Sequence, residues 1–240
     1  MRCSILLPKA WIPIAVLLSF LVVGFRFGEQ PIASTPTVQQ NDANIEFDWA
    51  FGVLGYNGKT PVPIPITRDT ILKSGDEIKM MVKMTKECYV YAVYLDSQGD
   101  LTLLFPYSIR QLQTDYVVAK TYYIPRGRTW MMLDKNTGKE IFFLIGSAER
   151  LLDLEVKLGN YYSADPSNRK PLADEVVSEI RGLRKRYSTF ATIAEKPLTI
   201  GGNIRSTDTV KVVRRLDVAD ISTQISAKNF YSKTITIDHQ

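Results

Sequence analysis

The sequence predicts a mainly β protein: an antiparallel β-sandwich-like domain with one amphipathic helix after the core, preceded by an N-terminal hydrophobic signal or anchor helix. Three observations carry this. Apolar residues alternate along 45–53 and 78–84. Short apolar runs recur roughly every ten residues with turn chemistry between them. A charge-free apolar run, residues 11–25, follows a basic start.

Arg2 and Lys9 precede that run, the arrangement of an export signal. At 1.5 Å per residue it spans roughly 22 Å, short of the ~30 Å hydrocarbon core. Ile5 to Leu7 and Phe27 lengthen it if Lys9 extends to the interface. A small-x-small cleavage site is missing around Ala33 and Ser34, where Pro31 or Ile32 takes the small position, and no cysteine follows the run to support a lipoprotein route. Residues 1–28 are therefore read as a signal peptide or a retained membrane anchor. The protein is expected to be exported, periplasmic or held at the cytoplasmic membrane with its domain outside the cytoplasm. Residues 29–44, rich in Pro, Ser, Thr, Gln and Asn, read as a disordered linker.

Residues 45–240 form the expected globular domain. Ile45, Phe47, Trp49, Phe51 and Val53 alternate as in a half-buried strand. Pro61, Pro63 and Pro65 fit an extended edge or a polyproline-like passage. Ile78, Met80, Val82 and Met84 begin a three-strand meander that continues through the apolar run 88–95 and, after the turn Asp96-Ser-Gln-Gly99, through 101–105. Further strands are expected at 122–124, 129–133 and 141–145, with Asn136-Thr-Gly138 as a turn. Leu172, Val176, Ile180, Leu183, Tyr187 and Phe190 repeat at three and four, predicting one helix over 170–192 with Pro171 in its first turn. Asp174 and Glu175 near its start and Arg181, Arg184, Lys185 and Arg186 near its end complement the macrodipole. A turn at Gly201-Gly202-Asn203 and strands at 210–213 and 230–237 close the domain over 209–237.

Five motifs occur in order: Leu72-Lys-Ser-Gly-Asp-Glu-Ile78, Tyr89-Val-Tyr91, Asp96-Ser-Gln-Gly99, Leu103-Leu-Phe-Pro106 and Gly138-Lys-Glu140. Together they make residues 70–157 resemble the bacterial domain-of-unknown-function family 4384. The resemblance implies a compact β-rich module that accompanies export signals or is appended to signalling and peptidase domains. It implies no known reaction, and it carries no catalytic residues onto this chain.

Composition narrows the chemistry. The formal charge is +5, and Arg2, Lys9 and Arg26 less Glu29 account for +2 of it, leaving +3, an ordinary surface with no nucleic-acid footprint. Cys3 and Cys88 are the only cysteines, so the exported part forms no internal disulfide. Cys88 lies in the most apolar strand and reads as an inert thiol. His239, the only histidine, sits one residue from the end, where chains fray, which argues against a Ser-His-Asp or Cys-His relay. Asp96 and Asp100 read as a solvated hairpin lacking the spacing of a calcium loop. Asp76, Glu77, Asp115, Asp134 and Glu140 are the acids that could converge for glycoside cleavage. Tyr89, Tyr91 and Tyr94 read as core. No phosphate loop or zinc set is present, and no cofactor or metal is expected.

Arg181, Arg184, Lys185 and Arg186 read first as the solvated face of an amphipathic helix, and they are the candidate interaction surface for anionic lipid or glycan phosphate. The leading functional expectation is a non-catalytic envelope module that binds a protein or glycan partner. The alternatives are a carboxylate-dependent hydrolase of envelope glycan and an anchored accessory subunit of a membrane complex.

Overall fold

The computed structural model describes residues 44–187, 193–198 and 216–240. The anchor at 1–28, nearly all of the linker, the Gly201-Gly202-Asn203 turn, the strand expected at 210–213 and the helix end at 188–192 lie outside them.

The strands are β1 (Ile45–Asn57), β2 (Thr60–Pro65), β3 (Thr70–Leu72), β4 (Glu77–Met84), β5 (Tyr89–Leu95), β6 (Leu101–Phe105), β7 (Tyr122–Ile124), β8 (Met131–Met132), β9 (Gly138–Ser147), β10 (Ile193–Pro197), β11 (Thr223–Ala227) and β12 (Phe230–His239). The helices are α1 (Gln111–Thr114), α2 (Leu152–Ser163) and α3 (Arg169–Tyr187). One sheet, A, runs β10-β11-β1-β4-β7, with β2 on β1 and β8 on β4; the other, B, runs β3-β12-β9-β5-β6. All pairings are antiparallel except the parallel contact of β3 with β12.

Period-two alternation turns one face of each sheet inward. Phe47, Trp49 and Phe51 of β1 and Ile78, Met80 and Val82 of β4 meet Val90 and Ala92 of β5, Phe142 and Leu144 of β9, and Ile235 and Ile237 of β12 in the main core. The outer face of sheet B carries a second core, Tyr91, Val93, Phe143 and Ile145 against Leu154, Leu158, Val176 and Ile180 of the two long helices. Covering both faces explains why β5 and β9 read as continuous apolar runs. On the outer face of sheet A, Ala50 and Met81 pack with Val218 in a smaller cluster edged by half-buried Tyr123, Trp130, Ala219 and Ile221; Val218 opens a 3₁₀ turn over Val218–Ile221 whose Ala219 amide is capped by Asp217.

Three expectations need correction. The meander over 78–105 is broken between sheets, because β4 belongs to A while β5 and β6 belong to B. The outer face of β4, with Lys79, Met81 and Lys83, is covered only by a thin layer, whereas the outer face of β5 lies under the two long helices. A helix, α2, stands where none was expected: Leu152, Leu154, Val156 and Leu158 alternate like a strand, yet the buried set is Leu154, Glu155, Leu158 and Tyr161, at helical spacing. The strand expected at 129–133 shrinks to Met131–Met132. Pro171 lies in the first turn of α3 as expected, while Arg184, Lys185 and Arg186 occupy the last described turn. The prolines of β2 are spaced by two, which leaves their missing N–H groups on the free edge of the strand.

Candidate functional site

His239 does not fray. It is 1 % exposed, its Nδ1 lies 2.9 Å from Glu140 Oε1, and its Nε2 lies 3.1 Å from Ser74 Oγ. The Tyr94 hydroxyl donates to the other carboxylate oxygen, Glu140 Oε2. The terminal strand is held by β9 along its length and by β3 at its end, where the Gln240 amide donates to the Leu72 carbonyl at 2.9 Å. Ser74, His239 and Glu140 stand in the order of a serine-activating relay. Ser74 is solvent-exposed, but every amide around it is engaged. Ser74 N–H reaches the Gln240 carbonyl at 2.9 Å, Gly75 N–H the Leu133 carbonyl at 2.9 Å, and Asp76 N–H the Lys73 carbonyl at 3.0 Å. Lys73 N–H donates to Asp76 Oδ2 at 2.8 Å. These amides therefore offer no donor to a developing oxyanion. The cluster ties β3, β5, β9 and β12 together beneath the Lys73-Ser-Gly-Asp76 turn, where Gly75 takes a φ of +94°.

The remaining candidates have local roles. Of Asp76, Glu77, Asp115, Asp134 and Glu140, only Glu140 is buried, and both its oxygens are taken. Asp115 pairs with Lys120 at 2.7 Å, and Asp134 accepts from the Asn136 amide at 2.7 Å. Asp96 Oδ1 accepts from the Gln98 and Asp100 amides at 2.9 and 2.8 Å, closing the hairpin. Cys88 is 3 % exposed, and burial pushes its thiol up to about 11, so it is inert at neutral pH. Tyr91 is buried in the second core, where its hydroxyl donates to Glu155 Oε1 at 2.7 Å. Arg150 grips the same carboxylate, fixing the start of α2 to β5.

The basic cluster of α3 divides. Arg181 and Arg184, one helical turn apart, line a groove with Ile141 and Phe143 of β9, Ile180, and Ser232, Thr234 and Thr236 of β12. Neither guanidinium has a hydrogen bond or ion pair among the described residues. The Ser232 hydroxyl oxygen is buried without a partner, which ordinarily has a cost of about 1–3 kcal/mol. Arg186 instead lines a second depression with Arg150, Asp153 and Glu179, beside the start of α2. Lys185 lines neither and has other interactions. The groove thus has an apolar floor, three hydroxyls along one wall and, on the other, two cations with no ion pair among the described residues. Its hydroxyl wall was not legible, because Ser232, Thr234 and Thr236 read only as the polar face of a strand.

A two-sheet β protein with helices outside one sheet is the class this architecture defines. Within it, residues 71–150 match the family described as Domain of unknown function (DUF4384). The matched span runs from β3 to just before α2 and includes the turn that carries Ser74. No curated protein and no solved structure matches the chain.

Proposed function

We propose that this chain is an exported, non-catalytic binding module of the cell envelope, and that it holds an anionic envelope polymer in the groove between α3 and β12. The observation that carries the reading is the pairing, across one groove, of two guanidiniums and a buried Ser232 hydroxyl that have no partner among the described residues. Two cations and a hydroxyl row match the acceptor oxygens of a phosphate or carboxylate, and the Ile141–Phe143 floor matches the apolar backbone between such groups. The engaged amides around Ser74 support the non-catalytic part, and the charge-free run at 11–25 supports export.

The test is calorimetric titration of the full chain in detergent with poly(glycerol phosphate) and with uncharged dextran. The phosphate polymer is expected to bind, less tightly as salt rises, and dextran not. Arg181→Gln with Arg184→Gln is expected to weaken binding by about tenfold or more. Equal binding by that double variant, or no preference for the charged polymer, overturns the reading.

The anchored accessory-subunit reading has one observation in its favour: Leu152 and Val156, one turn apart on α2, are 60 % and 61 % exposed. Photo-cross-linking from position 156 in intact envelopes separates the two, since a discrete protein adduct supports the accessory role and glycan alone supports the groove.

A further inference from the structure

The outer face of sheet A holds a cleft of about 490 Å³ that the α3 groove does not reach. It forms because the chain leaving β7, Pro125-Arg-Gly-Arg-Thr129, folds back over β4. Lys79 points out of β4 on the side opposite Ile78 and Met80, and this segment buries it to 4 % exposure. Its ammonium donates to the Gly127 carbonyl at 2.8 Å and to the Thr129 carbonyl. An ammonium has three N–H donors, and these two carbonyls take two of them, with the Tyr123 ring centroid 5.5 Å from Nζ. Burial holds its pKa below the ordinary lysine value, against the opposing pull of the Asp217 carboxylate.

The other walls are Tyr123, Trp130, Arg128 and Asp217. Asp217 has little to offer a ligand: its Oδ2 accepts from the Tyr123 hydroxyl at 2.9 Å and its Oδ1 from the Ala219 amide at 2.9 Å. Arg128 is exposed and has no hydrogen bond or ion pair among the described residues. Tyr123 and Trp130 are each half-buried against the small core of Ala50, Met81 and Val218. The unspent chemistry is therefore two cationic donors between two aromatic walls. The donors call for an acid group, and the aromatic walls call for a ring with an apolar face attached to it. A cleft of this volume lies within the usual range for small ligands.

We infer that this cleft binds an acidic sugar, with the acid group at Lys79 and Arg128 and the C–H face of the sugar ring against Trp130 or Tyr123. The carboxylate of a uronic acid and the phosphate of a sugar phosphate present the same chemistry here.

The experiment titrates the full chain in detergent with galacturonic acid, glucose 6-phosphate, glucose and adenosine monophosphate, followed by ligand-observed NMR. One or both acidic sugars are expected to bind, and glucose about tenfold more weakly or not at all. Which acid binds identifies the acid group. Arg128→Gln, on an exposed side chain that leaves the fold intact, is expected to weaken the acidic sugar by about fivefold or more. Arg181→Gln with Arg184→Gln is expected to bind it unchanged, which separates this site from the α3 groove. Binding of glucose as tight as that of the acids, no effect of Arg128→Gln, loss in the α3 variant, or tighter binding of adenosine monophosphate would each overturn the inference.

Discussion

The two outer faces of the sandwich are finished differently. Among the described residues, sheet B carries sixteen buried apolar side chains on its outer side, contributed jointly by its strands and by α2 and α3, whereas the outer side of sheet A carries three. Sheet B is also tied by polar groups on its inner side, where Glu140, His239 and Tyr94 link β9, β12 and β5. Sheet A has Lys79 in its outer layer, beside a cleft open to solvent. A face that supplies stability through burial has few polar groups left to offer a ligand. The thinly covered face keeps cations and rings at its surface. On sheet B the same division appears locally, since the α3 groove opens only where the helix layer ends over β12.

The largest test of this contrast removes one buried polar partner from each sheet. Glu140→Ala removes the carboxylate that both His239 and Tyr94 bond, and a destabilisation of about 3–5 kcal/mol is expected in urea unfolding. Lys79→Met replaces a buried cation by an apolar chain of similar length, and its carbonyl partners border open solvent. A change within about 1 kcal/mol is expected there. Comparable losses in the two variants would end the distinction between the sheets. Next come the apolar layers. Leu158→Ala, fully buried between α2 and sheet B, is expected to cost about 2–5 kcal/mol. Val218→Ala, the centre of the small layer on sheet A, is expected to cost nearer 1.6 kcal/mol for its two lost methyl groups. Equal shifts in the urea midpoint would show that the thin layer is as important as the thick one.

How much of this was legible depends on range. β1 and β4 show in the sequence because the large apolar side chains of each lie mostly on the face toward the main core, and a period of two survives without knowledge of any partner. α3 shows because its buried stripe holds Val176, Ile180 and Leu183 at three and four. α2 was hidden because exposed Leu152 and Val156 supply the apolar alternation of a strand. The sites were hidden for a different reason. His239 takes its fixed position from Ser74 and Glu140, which are 165 and 99 residues away, and Lys79 from carbonyls 48 and 50 residues away. No local pattern encodes such pairings. Arg181 and Arg184 were legible as a charged turn, but not the hydroxyl wall they face.

Alkaline pH probes the interior with a smaller effect. Burial pushes Cys88 up to about 11 from an ordinary 9.0, and raises Tyr91, Tyr94, Tyr116 and Tyr231 as well. Between pH 9 and 11 the unfolded chain releases the thiol proton while the folded chain keeps it, so stability falls as pH rises. The tyrosines act in the same direction above their ordinary values. Lys79 acts oppositely: its folded ammonium loses its proton before the unfolded one does, so its contribution to stability rises with pH. A net loss is expected between pH 8 and 10.5, and Cys88→Ala should flatten that slope, the thiol's share being under about 3 kcal/mol. A slope that Cys88→Ala leaves unchanged would assign the alkaline loss to the tyrosines alone.

The smallest effect concerns an edge. β6 is the last strand of sheet B, and its outward amides would be free to pair with another chain. Tyrosine hydroxyls occupy them: Tyr161 accepts from the Leu101 amide at 2.9 Å and Tyr162 from the Leu103 amide at 2.6 Å. Where β6 no longer flanks β5, Tyr116 accepts from the Val90 amide at 2.6 Å. The helix layer therefore seals the edge of sheet B as well as its face. Tyr161→Phe and Tyr162→Phe are each expected to cost about 1 kcal/mol, close to the net worth of one hydrogen bond. Tyr123→Phe, whose hydroxyl serves Asp217 beside the open cleft of sheet A, should cost no more. The edge variants should differ in kind, because the Tyr161→Phe, Tyr162→Phe pair bares two neighbouring amides while retaining both rings. Light scattering should then detect concentration-dependent self-association in that double variant and none in Tyr123→Phe. If both remain monomeric, the ring packing of α2 protects the β6 edge and the hydroxyls contribute only their hydrogen bonds.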